Sequence, residues 1–174
     1  MGLELLAAIV AAVAFAGIAM MLRKVTRDRL PKWIVPAAAG LGLIGFTAWN
    51  EYSWFSRVSG ELPAGVEVVW ADDNPQALRP WTFVAPLVTR FLAMDSRTLA
   101  RHPAKDDLVM ADVYAFARWR GVEQGLVVVD CAGMRSVRLV EGVRISDAGE
   151  LEGGEWAALA EGDQLGVVAC RRSD

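Results

Sequence analysis

The sequence predicts an α+β protein: an N-terminal two-helix transmembrane hairpin, then a small, mostly antiparallel β domain with one disulfide. Three observations predict it. Two apolar runs near the start of the chain flank a short cluster of positive charge. Later segments alternate apolar and polar residues with the period of two that marks a half-buried strand. The only two cysteines each end an apolar run in that later part.

The first run, residues 2 to 22, is Ala, Val, Ile, Leu, Met and Phe almost throughout, with Glu4 its only charge. The second, Trp33 to Trp49, has no charge. A helix of ~20 apolar residues rises about 30 Å and spans a bilayer. Helices are expected over about residues 3–22 and 33–52, within a hairpin of residues 1–55. The joining loop, residues 23–32, holds Arg23, Lys24, Arg27, Arg29 and Lys32 against Asp28 alone. Basic loops stay in the cytoplasm. Both chain ends are then expected on the outer, periplasmic side of a bacterial inner membrane. A cleaved signal peptide is the rival reading of the first run, but it wants a basic start, and this chain begins Met1-Gly2-Leu3-Glu4.

Pro36 is expected inside the second helix or at a kink, because proline removes a backbone donor. Trp49, Tyr52, Trp54 and Phe55 form an aromatic belt at its outer end. Small residues recur at Ala8, Ala12 and Ala16, and again at Ala38, Gly42 and Gly45. Such faces allow close helix contact, with each other or with a further membrane protein.

The remainder, residues 56–174, is expected to be one extracytoplasmic β-rich domain. It carries 13 Lys+Arg against 18 Asp+Glu and no basic stripe, which argues against nucleic acid as a partner. Arg outnumbers Lys 15 to 3 over the chain, a bias that suits a GC-rich bacterial genome. Residues 56 to 80 read as a linker with an entry strand at Val66 to Trp70. Residues 81 to 102 stay open between helix and strand: Val84, Leu87, Val88, Phe91 and Leu92 have helical spacing, while Pro86 opposes a long helix. Leu108 to Arg120 alternates as a strand, with Val109, Ala111, Val113, Ala115, Ala117 and Trp119 on one side. Leu126 to Cys131 reads as a buried strand. Arg135 to Val140 alternates, with Gly142 to Ile145 as a possible extension. Gly149 and Gly153-Gly154 announce a turn before Trp156 to Leu159. The sum is an antiparallel meander of four to six strands with little helix.

Cys131 and Cys170 are expected to pair, because both lie in the part placed outside the reducing compartment. A redox or metal pair is the competing reading. Metal binding wants more ligands than the single His102 supplies, and no C-x-x-C is present.

The segments "FLAMDSRTLARH", "LVMADVYAFARW", "VVVDCAGMRSVRL" and the terminal "VVAC" resemble the surface-adhesin protein E-like domain over about residues 90 to 172. The matching positions are Asp95, Trp119, Asp130, Cys131, Arg135 or Arg138, and Cys170. The resemblance implies a small α+β domain with an antiparallel sheet and a disulfide. It also implies a short helix over Asp163 to Ala169 as the alternative to a strand, with Asp163 as N-cap. The family's named member is an outer-membrane lipoprotein that binds host matrix proteins. This chain departs from it by its apolar hairpin and by lacking a lipid-anchor cysteine near its start.

No nucleophile elbow, phosphate loop, dinucleotide fingerprint or zincin motif occurs. His102 beside Pro103 reads as a solvated loop residue. The pairs Asp72-Asp73 and Asp106-Asp107 read as solvated loops or weak cation sites, and Asp147 to Glu150 lacks calcium-loop spacing. Arg118 and Arg120 flank Trp119 and make a candidate partner patch. No catalytic residue, metal or cofactor is expected. The reading is a non-enzymatic, membrane-anchored accessory or interaction protein, partnered by the lipid bilayer and by another membrane or periplasmic protein. The alternative is an envelope enzyme or thiol-redox factor.

Overall fold

The computed structural model describes residues 2–27, 29–75 and 79–171. The chain divides into two compact units, Met1–Trp54 and Phe55–Asp174.

The first unit holds two helices, α1 (Gly2–Val25) and most of α2 (Ile34–Gly60). α1 is rich in Ala and Leu, contains no proline, and ends on Arg23 and Lys24, whose charge suits the carbonyl end of a helix. Beyond it, the Thr26 hydroxyl donates to the Leu22 carbonyl at 2.9 Å. Among the described residues α1 alone is long and apolar enough to cross a membrane. α2 is longer, but glycines and the polar Thr47, Asn50 and Glu51 dilute its apolar residues. Pro36 causes no break. It is the third residue of α2, in the first turn, where its missing N–H has no partner within the helix to lose. α2 also runs to Gly60, so residues 56–60 are helix where a linker was expected.

Two contacts fix α1 and α2 as an antiparallel pair. Asn50 Nδ2 donates to Glu4 Oε1 at 3.2 Å. Further along both helices, Gly42 lies so near Phe15 that a Cβ there would stand 2.9 Å from the Phe15 side chain. Ala8, Ala19, Gly42 and Asn50 are the buried residues of the two helices.

The second unit is a meander. Its strands are β1 (Val66–Ala71), β2 (Arg90–Asp95), β3 (Ala100–His102), β4 (Lys105–Ala117), β5 (Glu123–Asp130), β6 (Arg135–Leu139), β7 (Arg144–Ile145), β8 (Leu151–Glu152) and β9 (Ala157–Ala158), followed by helix α3 (Gln164–Ala169). The main sheet has seven strands in the order β1-β2-β4-β5-β6-β9, with β3 also paired to β4. All pairings are antiparallel, and β7 and β8 make a separate two-stranded sheet. The open segment 81–102 resolves into a 3₁₀ turn at Pro80–Phe83 and the strands β2 and β3. Helical spacing there was coincidence: β2 gains full pairing on both sides, which a helix broken at Pro86 cannot match.

Alternation along β4 sets two cores. Val109, Ala111 and Val113 point to the face holding Met94, Val127 and Val129, which α3 covers with Val168 and Ala169. Leu108, Val128 and Val137 point to the other face, against Val143, Ile145, Leu151 and Trp156. A sheet covered on both faces explains why the second side of the strand is itself partly apolar. Residues 142–145 do not extend β6. Val143 N–H donates to the Val140 carbonyl, and the chain reverses at Gly142. Gly153 (φ +77°) is required at the close of this excursion, since a Cβ would stand 2.0 Å from the Gly142 carbonyl oxygen.

Candidate functional site

Cys131 and Cys170 are joined, with sulfurs 2.04 Å and Cα atoms 5.7 Å apart. Cys131 follows directly on β5, and Cys170 is the C-cap of α3. The helix is short, so its ends need support. Asp163 supplies one end by accepting from the Leu165 N–H at 2.9 Å, and the disulfide holds the other. Residues 164–169 are therefore helix and not strand. Both cysteines are half-buried, and no free cysteine remains.

Asp130, one residue before the bridge, organises the turn into β6. Its Oδ1 accepts from Ala132 N–H (3.1 Å) and Gly133 N–H (3.0 Å), and its Oδ2 accepts from Arg135 Nε (2.7 Å). Burial pushes its carboxyl up, but the Gly133 N–H and Arg135 outweigh burial and hold it below the ordinary Asp value. Arg135 in turn covers the Trp156 ring at 4.8 Å. Asp130, Cys131, Arg135 and Cys170 thus gather at one end of β5. Arg138 lies elsewhere, alongside Gly125 across the hairpin. Asp95 sits in β2, where it caps the 3₁₀ turn Ser96–Thr98 and takes a two-point ion pair from Arg97 (2.9 and 2.7 Å). The Arg97 guanidinium holds the Asp95 carboxyl below its usual range.

A cleft of about 780 Å³ opens beside this turn, lined in part by Lys105, Asp107, Arg135, Glu150 and Trp156. Its cations are engaged: Arg135 by Asp130, and Lys105 Nζ by the Gly149 carbonyl at 3.0 Å. Among the described residues, its walls offer no hydroxyl, thiol or imidazole. Nor do the described residues hold a group of three or more metal-ligating side chains. His102 is half-buried at the end of β3, its Nδ1 accepting from the Ala104 N–H at 3.2 Å. Asp106 and Asp107 belong to the exposed start of β4, and Asp72 is ion-paired to Arg90.

Arg118, Trp119 and Arg120 are brought together, though not on a strand. β4 ends at Ala117 and the three residues form the tip leading to β5. Trp119 does not continue the inward side of β4. It has φ +72°, which turns it out to solvent, and Arg118 stacks on its ring at 4.3 Å. The Arg118 N–H donates to the Thr89 carbonyl at 2.8 Å, tying this tip to the start of β2. In the first unit Gly42 is buried against Phe15, while Ala38 is half-buried one turn earlier. Gly45 is exposed, with open space at its Cα. The Glu4–Asn50 pair escaped the sequence reading, although the signal was there: one charge in the first apolar run, and one amide at the end of the second.

No family model, curated protein or solved structure matches this chain.

Proposed function

We propose that the protein is a non-enzymatic, membrane-anchored accessory subunit that presents a disulfide-closed domain outside the cytoplasm. One observation carries the reading: a helix long enough to span a bilayer and a closed Cys131–Cys170 bridge occur in the same chain. Disulfides persist outside the reducing cytoplasm, so the bridge and the span favour one topology. In that topology α1 and the apolar part of α2 both cross the membrane, the basic residues 23–32 stay in the cytoplasm, and the second unit lies in the periplasm. The 17-residue run Trp33–Trp49 is at the short end of what spans a bilayer. The Glu4–Asn50 hydrogen bond supports its insertion beside α1, because a polar pair in or near lipid is tolerated when satisfied between helices. The surface-adhesin likeness belongs to this proposal as well, with Asp130, Cys131, Arg135 and Cys170 as its supporting residues; host adhesion does not follow from it.

The accessory role rests on surfaces and on chemistry. The cleft's cations are committed to structural partners, and the tip at residues 118–120, where Trp119 and Arg120 are exposed, offers a contact surface, as do the small-residue faces of the helices. The test is affinity capture of the full chain in mild detergent, with identification of bound proteins. Stable capture of a membrane or envelope protein is expected. Recovery of the chain alone contradicts the accessory role.

A further inference from the structure

We infer that Met134 is a site of sulfur oxidation, taking an oxygen atom from a peroxide, and that its sulfoxide loosens α3 from the turn at residues 131–134. The inference stands apart from the membrane anchoring and from the accessory role. α3 is held from this one turn at two places, each by a sulfur-bearing side chain. At its C-cap, Cys170 is bonded to Cys131. One helical turn earlier, Met134 reaches over Gly166: a Cβ there would stand 3.4 Å from Met134 Cε and 3.3 Å from Leu159 Cδ1. Gly166 is buried, and its carbonyl accepts the Cys170 N–H at 2.9 Å, so both holds meet on the same turn of the helix.

The turn fixes where Met134 goes. Asp130 Oδ1 accepts from the Ala132 and Gly133 N–H groups, and the Met134 carbonyl accepts the Leu159 N–H at 2.9 Å. Met134 itself has φ +45°, a left-handed conformation uncommon outside glycine. Held in this way, its terminal methyl meets α3 while the residue stays 39% exposed. The other two methionines of the second unit are shielded. Met94 is fully buried in the core that α3 covers, and Met110 is half-buried against the second core. The two cysteines are already joined, so no free thiol competes for oxidant. A peroxide in solution therefore meets the Met134 thioether first.

The reaction is a two-electron oxygen transfer. The thioether sulfur attacks one peroxide oxygen, the O–O bond breaks and a sulfur–oxygen bond forms. The second oxygen leaves as water with both protons, sulfur being oxidised and the peroxide reduced. The product is polar and chiral where the thioether was apolar and pliant. Its new oxygen sits on the atom next to the methyl that packs over Gly166, and an oxygen that prefers water does not rest on a buried apolar contact. α3 has little to spare. It has six residues, far fewer than a helix needs to persist alone. Its remaining supports are the Asp163 cap, the bridge, and Val168 and Ala169 in the core. Losing the Met134 contact weakens the middle of α3 while the bridge stays closed.

The test treats the full chain in detergent with hydrogen peroxide. Peptide mass mapping follows oxygen gain at each methionine, and hydrogen exchange follows the amides of residues 164–169. Intact mass without reductant verifies that the Cys131–Cys170 bridge stays closed. The expected result is oxygen gain at Met134 several-fold faster than at Met94 or Met110, with several-fold faster exchange in α3 once Met134 is oxidised. Met134→Leu keeps an apolar contact that peroxide cannot oxidise, so its α3 should exchange alike with and without peroxide. Met134→Gln, polar and of similar length, should exchange fast without any oxidant. Oxidation of Met94 or Met110 as fast as Met134 overturns the inference. So does α3 exchange that is unchanged by the sulfoxide or by Met134→Gln, or that peroxide speeds equally in Met134→Leu.

Discussion

Asp130 has both carboxylate oxygens engaged, by two backbone N–H groups and by Arg135. Its folded pKa lies below the ordinary 3.8. Such a depressed carboxyl contributes stability that is full above the unfolded value and is lost as pH falls through the folded one. Asp95 and Asp72, both lowered first by hydrogen bonds from arginine, act in the same sense. The thermal stability of the full chain in detergent should therefore fall on acidification below about pH 4. Asp130→Asn keeps an acceptor for the backbone and loses the ion pair, so it should cost about 1 kcal/mol near neutrality and flatten the acid limb. Asp130→Ala leaves two N–H groups without their acceptor and should cost about 2–3 kcal/mol. An unchanged acid limb in Asp130→Asn would show that the carboxylate is not linked to folding.

At the scale of elements, the disulfide and the helix pair carry the predictions. The bridge closes a separation of 39 residues and pins the end of a six-residue helix beside β5. Chain-entropy arithmetic for such a loop gives roughly 4 kcal/mol. Cys170→Ser should lower the stability of the second unit by about 2–5 kcal/mol, read by denaturant unfolding of the full chain, and should loosen α3 first in hydrogen exchange. In the first unit, Gly42→Leu should drive the helices apart, because even a Cβ there meets Phe15 at 2.9 Å. If a partner docks through this helix pair, capture of that partner should fall with Gly42→Leu. Capture that is unchanged assigns the partner to the second unit. Much of this level was legible in the sequence. Period-two patterning marked β4 and β6, a continuous β-branched run marked β5, and the two cysteines marked the bridge, because burial and oxidation both leave local signatures. Residues 81–102 were not legible, since short strands there owe their form to pairing with β1 and β4, and pairing partners lie far along the chain. The outward Trp119 was hidden for a related reason: alternation predicts the side of a strand, and nothing in it announces where the strand stops. Pro36 misled in the other direction, because whether it breaks a helix depends on a start position that the apolar run leaves blurred.

For the whole molecule, the central claim is topology: an anchored hairpin with its basic loop inside and the disulfide-closed domain outside. The two parts of the claim depend on one another, since a domain left in the cytoplasm would keep its thiols reduced. Thiol-blocking mass spectrometry of unreduced envelope protein should accordingly label neither Cys131 nor Cys170. The most direct measurement uses two reporters fused in turn after Asp174, a fluorescent protein that matures only in the cytoplasm and a phosphatase active only outside it. The account predicts a dark fluorescent fusion and an active phosphatase fusion. A bright fluorescent fusion with an inactive phosphatase would contradict it.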